Sequence, residues 1–273
     1  MNNKHVDILI DIVLDARKAI MKIYDKDFNV FIKEDKSPLT EADLISSKII
    51  CDGLKKLTPK IPIICEETKN EEYDKRKDWE YFWLVDPIDG TKEFIKKNGE
   101  FTINIGLVKN NSPIFGIVDI PCEETIYYAT LNRGAYKINK DMKKERIYCN
   151  KFTLKDDKLR IAMSKSHKGS EDKVLKKLKN PKCVNYGSSI KFLKVAEGSI
   201  DLYPRFKPCM EWDTCASHII VNEAGGKILI CDDHNKDNLL ESIYKNNKEL
   251  VYNKKDLHSP YFICYGGLFT ILP

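Results

Sequence analysis

Apolar positions recur at helical spacing near the start of the chain. This spacing predicts an amphipathic helix over residues 4–24, and its apolar face consists of Val6, Ile10, Val13, Ile20 and Ile23. A second helix is predicted to begin near Thr40. There Thr40 and Asp43 form a TxxD start signal, which is followed by further apolar residues at helical spacing.

The middle of the chain carries the short apolar runs that are typical of buried strands. IPIIC (residues 61–65) and YFWLV (residues 81–85) are each followed at once by acidic residues. Residues 101–120 and 125–138 alternate in a way that predicts two antiparallel hairpins with polar turns. We therefore expect most of a sheet before residue 140.

Strand and helix patterns alternate in the second half of the chain. Strands are predicted at residues 159–163, 200–203 and 227–231, and helices at residues 171–179, 190–197 and 212–224. The alternation predicts an α/β half after an α+β half, with domains at residues 1–150 and 151–273. The polar, Lys-rich stretch 139–158 is the predicted junction, and residues 232–259 give no assignable pattern.

Composition narrows the class of protein. The chain has 273 residues, of which 42% are apolar and 32% charged, as in a globular protein of one large or two ordinary domains. No run approaches the roughly 20 apolar residues of a transmembrane helix, so neither a span nor a signal peptide is expected. Nine cysteines without a CxxC pair indicate reduced, mostly buried thiols and a cytoplasmic location.

The net charge and its distribution along the chain indicate which binding partners to expect. The net charge is +5, but lysines and acidic residues are interspersed rather than gathered into a basic block. We therefore expect no stable nucleic-acid complex. A mildly positive field suits a small polyanionic substrate, and the sequence leaves the oligomeric state open.

Acidic residues follow predicted buried elements at three places. They are Glu66 with Glu67, Asp86 with Asp89, and Asp213 at a helix start. Each place alone has a simpler reading as surface charge, a turn or a partner of the helix dipole. Asp86 and Asp89, however, come directly after an apolar strand that would carry them to the carboxyl end of a sheet. An all-oxygen acidic set suits Mg²⁺ and suits zinc poorly.

The residues after Asp89 favour an anion at the same place. Gly90 permits close backbone approach, and Thr91 opens a short predicted helix whose free N–H groups would face the carboxylates. Hydrolysis of a phosphate monoester needs a barrier reduction of more than about 20 kcal/mol. A helix N-terminus supplies at most about 2 kcal/mol. Two or three Mg²⁺ ions would therefore have to supply much of the rest.

Three stretches resemble the inositol monophosphatase superfamily, and within it the bacterial CysQ-type 3'(2'),5'-bisphosphate nucleotidases. The stretches are DKSPLTEAD (residues 35–43), WLVDPIDGTKEFIKKNGEFTINIGLV (residues 83–108), and GSSIKFLKVAEGSIDLYPRF (residues 187–206) with EWDT (residues 211–214). The similarity runs in the same order along nearly the whole chain. It implies a layered αβαβα sandwich with a metal site between two halves.

The resemblance also implies roles for the acidic residues. Positions matching Glu66, Asp86, Asp89 and Asp213 are metal ligands in the superfamily, together with the backbone carbonyl of Ile88. Mg²⁺ is the implied cofactor, and inhibition by lithium is a family expectation.

The implied catalytic group includes Asp43 paired with the Thr91 hydroxyl, which would orient and deprotonate the attacking water. Glu66 would share in catalysis, with Glu67 as a second acidic neighbour. The phosphate would rest on the amides of Gly90 and Thr91. For Asp43, a plain helix-cap reading competes with this role.

The expected substrate depends on smaller differences between this sequence and the inositol phosphatases. Arg205 stands where inositol phosphatases commonly carry a glutamate that binds the polyol, and its donors suit phosphate or a base. GSSIKF resembles a nucleotide-binding segment, which indicates Ser188 and Lys191. MSKSH resembles another segment that adds Ser164 and His167. The implied substrate is adenosine 3',5'-bisphosphate, or the 3'-phosphorylated adenylyl sulfate, with AMP and phosphate as the products of the former.

Two alternatives stay open at this stage. One is the same fold acting on an inositol phosphate, and the other is a non-catalytic nucleotide-binding protein. The chain also departs from the family pattern. Cys65 precedes the acidic pair where a small Gly or Ser is usual, and KPCMEWD (residues 207–213) replaces the commoner GPT start of that segment. These departures bear on the shape of the pocket more than on the metal ligands.

Overall fold

The computed structural model describes residues 1–33, 37–165, 172–231 and 248–268. Its helices within these ranges are α1 (Asn3–Tyr24), α2 (Glu41–Leu57), α3 (Tyr73–Arg76), α4 (Thr91–Ile95), α5 (Asp172–Leu175), α6 (Ile190–Ala196) and α7 (Glu211–Glu223). None of them is both long and apolar enough to cross a bilayer.

The strands of the same ranges form two large sheets and three small pairs. They are β1 (Val30–Ile32), β2 (Pro38–Thr40), β3 (Ile63–Cys65), β4 (Tyr81–Asp89), β5 (Thr102–Lys109), β6 (Ser112–Ile120), β7 (Thr125–Thr130), β8 (Ala135–Ile138), β9 (Lys144–Ile147), β10 (Lys151–Phe152), β11 (Arg160–Ser164), β12 (Lys182–Tyr186), β13 (Leu202–Arg205), β14 (Cys209–Met210), β15 (Lys227–Ile230), β16 (His258–Ser259), β17 (Phe262–Tyr265) and β18 (Gly267–Leu268).

The two large sheets stack in a five-layer arrangement. The first has the order β3-β4-β5-β6-β7-β8-β9 and is antiparallel except between β3 and β4. The second has the order β12-β11-β13-β17-β15. Helices α1 and α2 cover the outer face of the first sheet, α6 and α7 lie between the sheets, and α5 lies beyond the second. The expected αβαβα sandwich is confirmed.

Alternation along β4 explains why both faces of the first sheet are covered. Trp83 and Val85 pack with α1 and α2, whereas Phe82 and Leu84 pack with the helices between the sheets. All four side chains are buried, since successive residues of a strand point to opposite faces. Because both of its faces are buried, β4 has a continuous apolar run in the sequence instead of an alternation.

Two glycines let α7 lie close to the first sheet. Gly106 on β5 is paired with Gly116 on β6. A Cβ at Gly106 would lie 2.5 Å from Cys215 Sγ, and one at Gly116 would lie 2.2 Å from the carbonyl oxygen of Ala216. Only glycine permits this approach. Helix α7 is thereby held against β5 and β6.

Several predicted elements differ in extent. The helix predicted over residues 171–179 is helical in Asp172–Leu175 and continues as turns, because the following Lys-rich residues lead into Asn180-Pro181. The predicted junction 139–158 contains β9, which completes the first sheet, and β10, which pairs with β18. All nine cysteines lie in described residues; none of them forms a disulfide, and six are buried, as expected.

Candidate active site

Strand β4 carries two acidic residues into the site through an irregularity. The strand was predicted to end at Val85, but it continues to Asp89. Its register against β5 shifts between Asp86, opposite Asn104, and Asp89, opposite Thr102. Pro87 lies in the shifted segment, where a residue without an N–H is tolerated. The shift brings Asp86 and Asp89 toward one cavity.

Helix α7 brings the third carboxylate. Asp213 lies in its first turn, where its Oδ2 accepts a hydrogen bond of 2.9 Å from the backbone N–H of Met210. Oxygen atoms of Asp86, Asp89 and Asp213 all lie within 4.8 Å of one another. Asp213 is more than a hundred positions from Asp86 and Asp89 in the sequence, and the fold brings the three carboxylates together.

Two serines from the segment before α6 hold Asp89. Its Oδ2 accepts hydrogen bonds from Ser188 Oγ at 2.6 Å and from Ser189 Oγ at 2.8 Å. Ser189 Oγ also lies 3.0 Å from the carbonyl oxygen of Asp213 and accepts from Asn104 Nδ2 at 3.0 Å. The orientation of Asp89 is thus fixed by residues from both halves of the chain.

Glu66 lines the same cavity but makes a different contact. Lys33, which follows β1, places its Nζ 2.9 Å from Glu66 Oε1 and 2.5 Å from Glu67 Oε1. The ammonium therefore bridges the acidic pair that follows β3. Burial raises the pKa of Glu67 to about 7, against the opposing effect of Lys33.

The two carboxylate oxygens of Asp43 have different hydrogen-bond partners. Its Oδ2 accepts from the backbone N–H of Thr40 at 2.8 Å and from the Thr40 hydroxyl at 2.6 Å, as in a capping box. Its Oδ1 accepts from Thr91 Oγ1 at 3.3 Å. Thr91 Oγ1 also lies 3.4 Å from the carbonyl oxygen of Ile88. One oxygen of the buried carboxylate caps α2, and the other contacts Thr91, which lines the cavity.

The clustered carboxylates repel one another. Burial raises the pKa of Asp86 well above its usual value, and Glu66, Asp89 and Asp213 raise it further. Burial, Asp89 and Glu66 likewise raise the pKa of Asp213 to about 8. A divalent cation would remove this repulsion, and carboxylate and carbonyl oxygens are the donors that Mg²⁺ takes. The residues present therefore fit such an ion.

The cavity that these residues share has a volume of about 550 Å³, within the usual range of small-ligand sites. It is also lined by Gly90, Thr91, Ser164, Ser188, Lys191 and Arg205, all of which were predicted to bind substrate. His167, the remaining predicted contact, lies outside the described residues. Gly90 has a φ of 93°, a left-handed conformation that favours glycine.

Two cations, Lys191 and Arg205, also line the cavity. Lys191 Nζ donates to the carbonyl oxygen of Ser188 at 2.6 Å and lies 5.3 Å from the ring centre of Tyr203. Burial and nearby Arg205 lower the pKa of Lys191 to about 8. The Arg205 guanidinium donates to the Tyr203 hydroxyl at 3.3 Å. Both side chains are held by the protein beside the cavity.

Sequence reasoning missed several residues of the site. Ser189 sits inside the GSSIKF segment, so its position next to Ser188 was a usable signal. Asn104 lies on an ordinary strand, and nothing in the sequence marks it. Lys33 could not be distinguished from the many surface lysines, because its acidic partners come more than thirty residues later in the chain.

Comparisons with known proteins identify the family of this chain. The family model described as "Inositol monophosphatase family" matches residues 2–261. The 3'(2'),5'-bisphosphate nucleotidase CysQ of Escherichia coli O6:H1 is 40% identical over 227 residues, which cover 82% of this chain and 89% of that protein. The protein of the same name from Haemophilus influenzae is 33% identical over 270 residues, covering 97% and 94%.

A solved structure of the same family is also similar to this chain. The crystal structure of CysQ from Bacteroides thetaiotaomicron, described as a bacterial member of the inositol monophosphatase family, has a TM-score of 0.75 and 35% identity. It covers 95% of this chain and 96% of its own. Family model, relatives and structure thus agree over almost the full length. The chain therefore belongs to the inositol monophosphatase family, whose members are metal-dependent phosphatases.

Proposed function

We propose that this chain removes the 3'-phosphate of adenosine 3',5'-bisphosphate in a Mg²⁺-dependent reaction, giving AMP and phosphate, and that it also accepts the 3'-phosphorylated adenylyl sulfate. The observation that carries the proposal is the meeting of Asp86, Asp89 and Asp213 within 4.8 Å in one cavity. The names and similarity of the CysQ relatives support the nucleotide substrate.

The proposed ligands are Glu66, Asp86, Asp89, Asp213 and the carbonyl oxygen of Ile88. Two or three Mg²⁺ ions held there would polarise the phosphoryl oxygens and stabilise the charge on the attacking and leaving oxygens. Glu66 would exchange its contact with Lys33 for this role. The serine contacts to Asp89 hold that carboxylate in place for binding.

Thr91 and Asp43 form the proposed proton path. The Thr91 hydroxyl lines the cavity and donates to Asp43, so it can accept from an attacking water and pass a proton to the carboxylate. Burial raises the pKa of Asp43, which suits a group that must hold a proton. The amides of Gly90 and Thr91 would donate to the transferred phosphate.

Product analysis tests the proposed reaction. The purified chain is incubated with adenosine 3',5'-bisphosphate and Mg²⁺, and the products are separated by ion-exchange chromatography. The expected nucleotide product is 5'-AMP, released together with one equivalent of phosphate. Accumulation of adenosine 3'-phosphate would show cleavage of the other ester, and unreacted nucleotide would reject the proposal.

Two further properties are part of the proposal. We expect inhibition by Li⁺ at tens of millimolar, because a monovalent ion can replace one weakly held Mg²⁺, and unchanged turnover would contradict this. A cytoplasmic location is supported by nine cysteines that form no disulfide among the described residues, since disulfides are rare in that compartment.

A further inference from the structure

Side chains of both charges line the cavity. The carboxylates Asp86, Asp89 and Asp213 belong to its lining, and so do the cations Lys191, Arg205 and Lys207. An ester whose reacting phosphate lies among the carboxylates would have the rest of the molecule in the same cavity, whose wall also carries these cations. A substrate with a second phosphate therefore matches this distribution of charge better than one with a single phosphate.

Lys191 and Arg205 already use most of their donors within the protein. Lys191 Nζ donates to the carbonyl oxygens of Ser188 at 2.6 Å and Tyr186 at 3.3 Å. Arg205 donates through Nε to the carbonyl oxygen of Lys207 at 3.2 Å. Its other nitrogens reach the Tyr203 hydroxyl and the carbonyl oxygen of Pro208.

These partners carry no negative charge. Among the described residues, no carboxylate is hydrogen-bonded or ion-paired to Lys191 or Arg205. Asp89 and Glu93 lie near enough to act on the charge of Lys191, and Asp213 on that of Arg205, but the donors of the two cations are occupied largely by neutral oxygens. An incoming anion would gain from the field but would need a further donor to hold it.

Lys207 supplies such a donor. Its backbone is held by the Arg205 guanidinium and precedes Pro208, whose ring restricts the backbone on both sides. Its side-chain ammonium makes no hydrogen bond or ion pair with any residue in the described ranges, and the residue is only partly exposed. A lysine ammonium has three donors on a long flexible stem, so it can reach a phosphate from a fixed backbone.

Lys207 is also a departure from the pattern that this segment otherwise follows. It stands first in KPCMEWD, where the resembling sequences commonly begin GPT. A glycine at this place offers no side chain to the cavity. Lys207 is therefore not part of the pattern on which the family resemblance rests.

We propose that Lys207 binds the second, non-reacting phosphate of the substrate and thereby raises the preference for bisphosphorylated over monophosphorylated nucleotides. The proposal rests on the nucleotidase function proposed above. It assigns Lys207 to substrate selection and leaves the hydrolytic step to the carboxylates of the cavity. Adenosine 3',5'-bisphosphate and adenosine 3'-phosphate differ only in the phosphate concerned, so they form the matched pair of substrates.

The test compares kcat/KM for these two nucleotides in the full chain and in the variants Lys207→Gln, Lys207→Gly and Lys207→Arg. The ratio of bisphosphate to monophosphate should fall about three- to tenfold in Lys207→Gln and Lys207→Gly, through KM for the bisphosphate. Lys207→Arg should restore most of it. Lys60→Gln, which removes an exposed lysine away from the cavity, is the charge control and should keep the wild-type ratio.

The outcomes separate the two proposals. If the wild-type chain hydrolyses neither nucleotide, the nucleotidase function fails, and this inference fails with it. If the wild-type chain hydrolyses the bisphosphate but Lys207→Gln and Lys207→Gly keep its ratio, Lys207 is a solvated surface charge and this inference alone is overturned. An equal loss of kcat/KM for both nucleotides would likewise reject a role of Lys207 in binding the second phosphate. Melting temperatures of all variants show whether any loss reflects unfolding.

Discussion

Ser189 Oγ lies 2.8 Å from Asp89 Oδ2 and 3.0 Å from the carbonyl oxygen of Asp213, so one hydroxyl connects the two halves of the carboxylate cluster. Asn104 holds the same hydroxyl from β5. A group that orients a ligand in this way affects affinity for the ion without touching it. Ser189 is therefore a positioning residue for the proposed metal site.

Replacing Ser189 tests this role. We expect Ser189→Ala to weaken Mg²⁺ binding about 10- to 100-fold, because Asp89 loses one of its two hydroxyl partners. Calorimetric titration with Mg²⁺ measures the affinity independently of turnover. Ser199→Ala removes an exposed hydroxyl that contacts Lys194 and Glu197, and it should leave the affinity unchanged. Unaltered Mg²⁺ binding in Ser189→Ala would remove the positioning role.

Asp89→Asn separates catalysis from folding. The amide has the shape of the carboxylate but loses its charge, so turnover should fall at least about 10²-fold. The melting temperature in EDTA should not fall, since one of several mutually repelling carboxylates is removed. Asp52→Asn, on the exposed face of α2, is the control. An Asp89→Asn variant that hydrolyses the nucleotide normally would refute the proposed metal role of this residue.

Lys33 competes with a cation for Glu66. Its ammonium lies 2.9 Å from Glu66 Oε1 and would have to release this carboxylate when a metal ion binds. We expect Lys33→Met to lower the Mg²⁺ concentration for half-maximal activity about threefold, the scale of a partly exposed ion pair. Lys48→Met removes a lysine paired with Asp52 on the surface and should have no effect. A higher Mg²⁺ requirement in Lys33→Met would mean that Lys33 assists binding instead.

The pH dependence of stability tests the burial and mutual repulsion of the carboxylates. The pKa of Asp213 rises from an ordinary 3.8 to about 8 in the folded chain, so the folded state binds more protons than the unfolded state between these values. Stability in EDTA should therefore fall as pH rises from about 4 to 8. Each kcal/mol lost lowers the melting temperature by about 2–4 °C in a protein of this size.

Two comparisons identify the source of that pH effect. Asp213→Asn should flatten the decline in EDTA, because the titrating group is gone. Added Mg²⁺ should stabilise the wild-type chain more at pH 8 than at pH 5, since the ion binds the deprotonated carboxylates. A melting temperature in EDTA that rises over the same interval would contradict the raised pKa values.

The parts of the fold that were predictable have strong local signals. Helix α2 begins where Thr40 and Asp43 predicted it, because the capping box is a short-range feature. The hairpins of the first sheet follow from alternation and polar turns. Strand β12 was missed because most of its side chains are exposed, and β17 was missed because it is short and follows a stretch without pattern.

The residues of the candidate site also differ in how far the sequence alone identifies them. Asp86, Asp89 and Asp213 could be predicted because each directly follows or begins a recognisable element. The bulge at Pro87, which keeps both aspartates within β4, depends on pairing with Asn104 and Thr102 and has no local signal. The contacts of Lys33 and Ser189 are tertiary, so a single sequence does not contain them in readable form.

The most direct test of the central claim is a phosphate-release assay with Mg²⁺ that compares adenosine 3',5'-bisphosphate, inositol 1-phosphate and fructose 1,6-bisphosphate. We expect the highest kcat/KM for the nucleotide, and loss of that activity on addition of EDTA. A clear preference for the inositol ester would contradict the assigned substrate, and full activity in EDTA would contradict the metal-dependent mechanism.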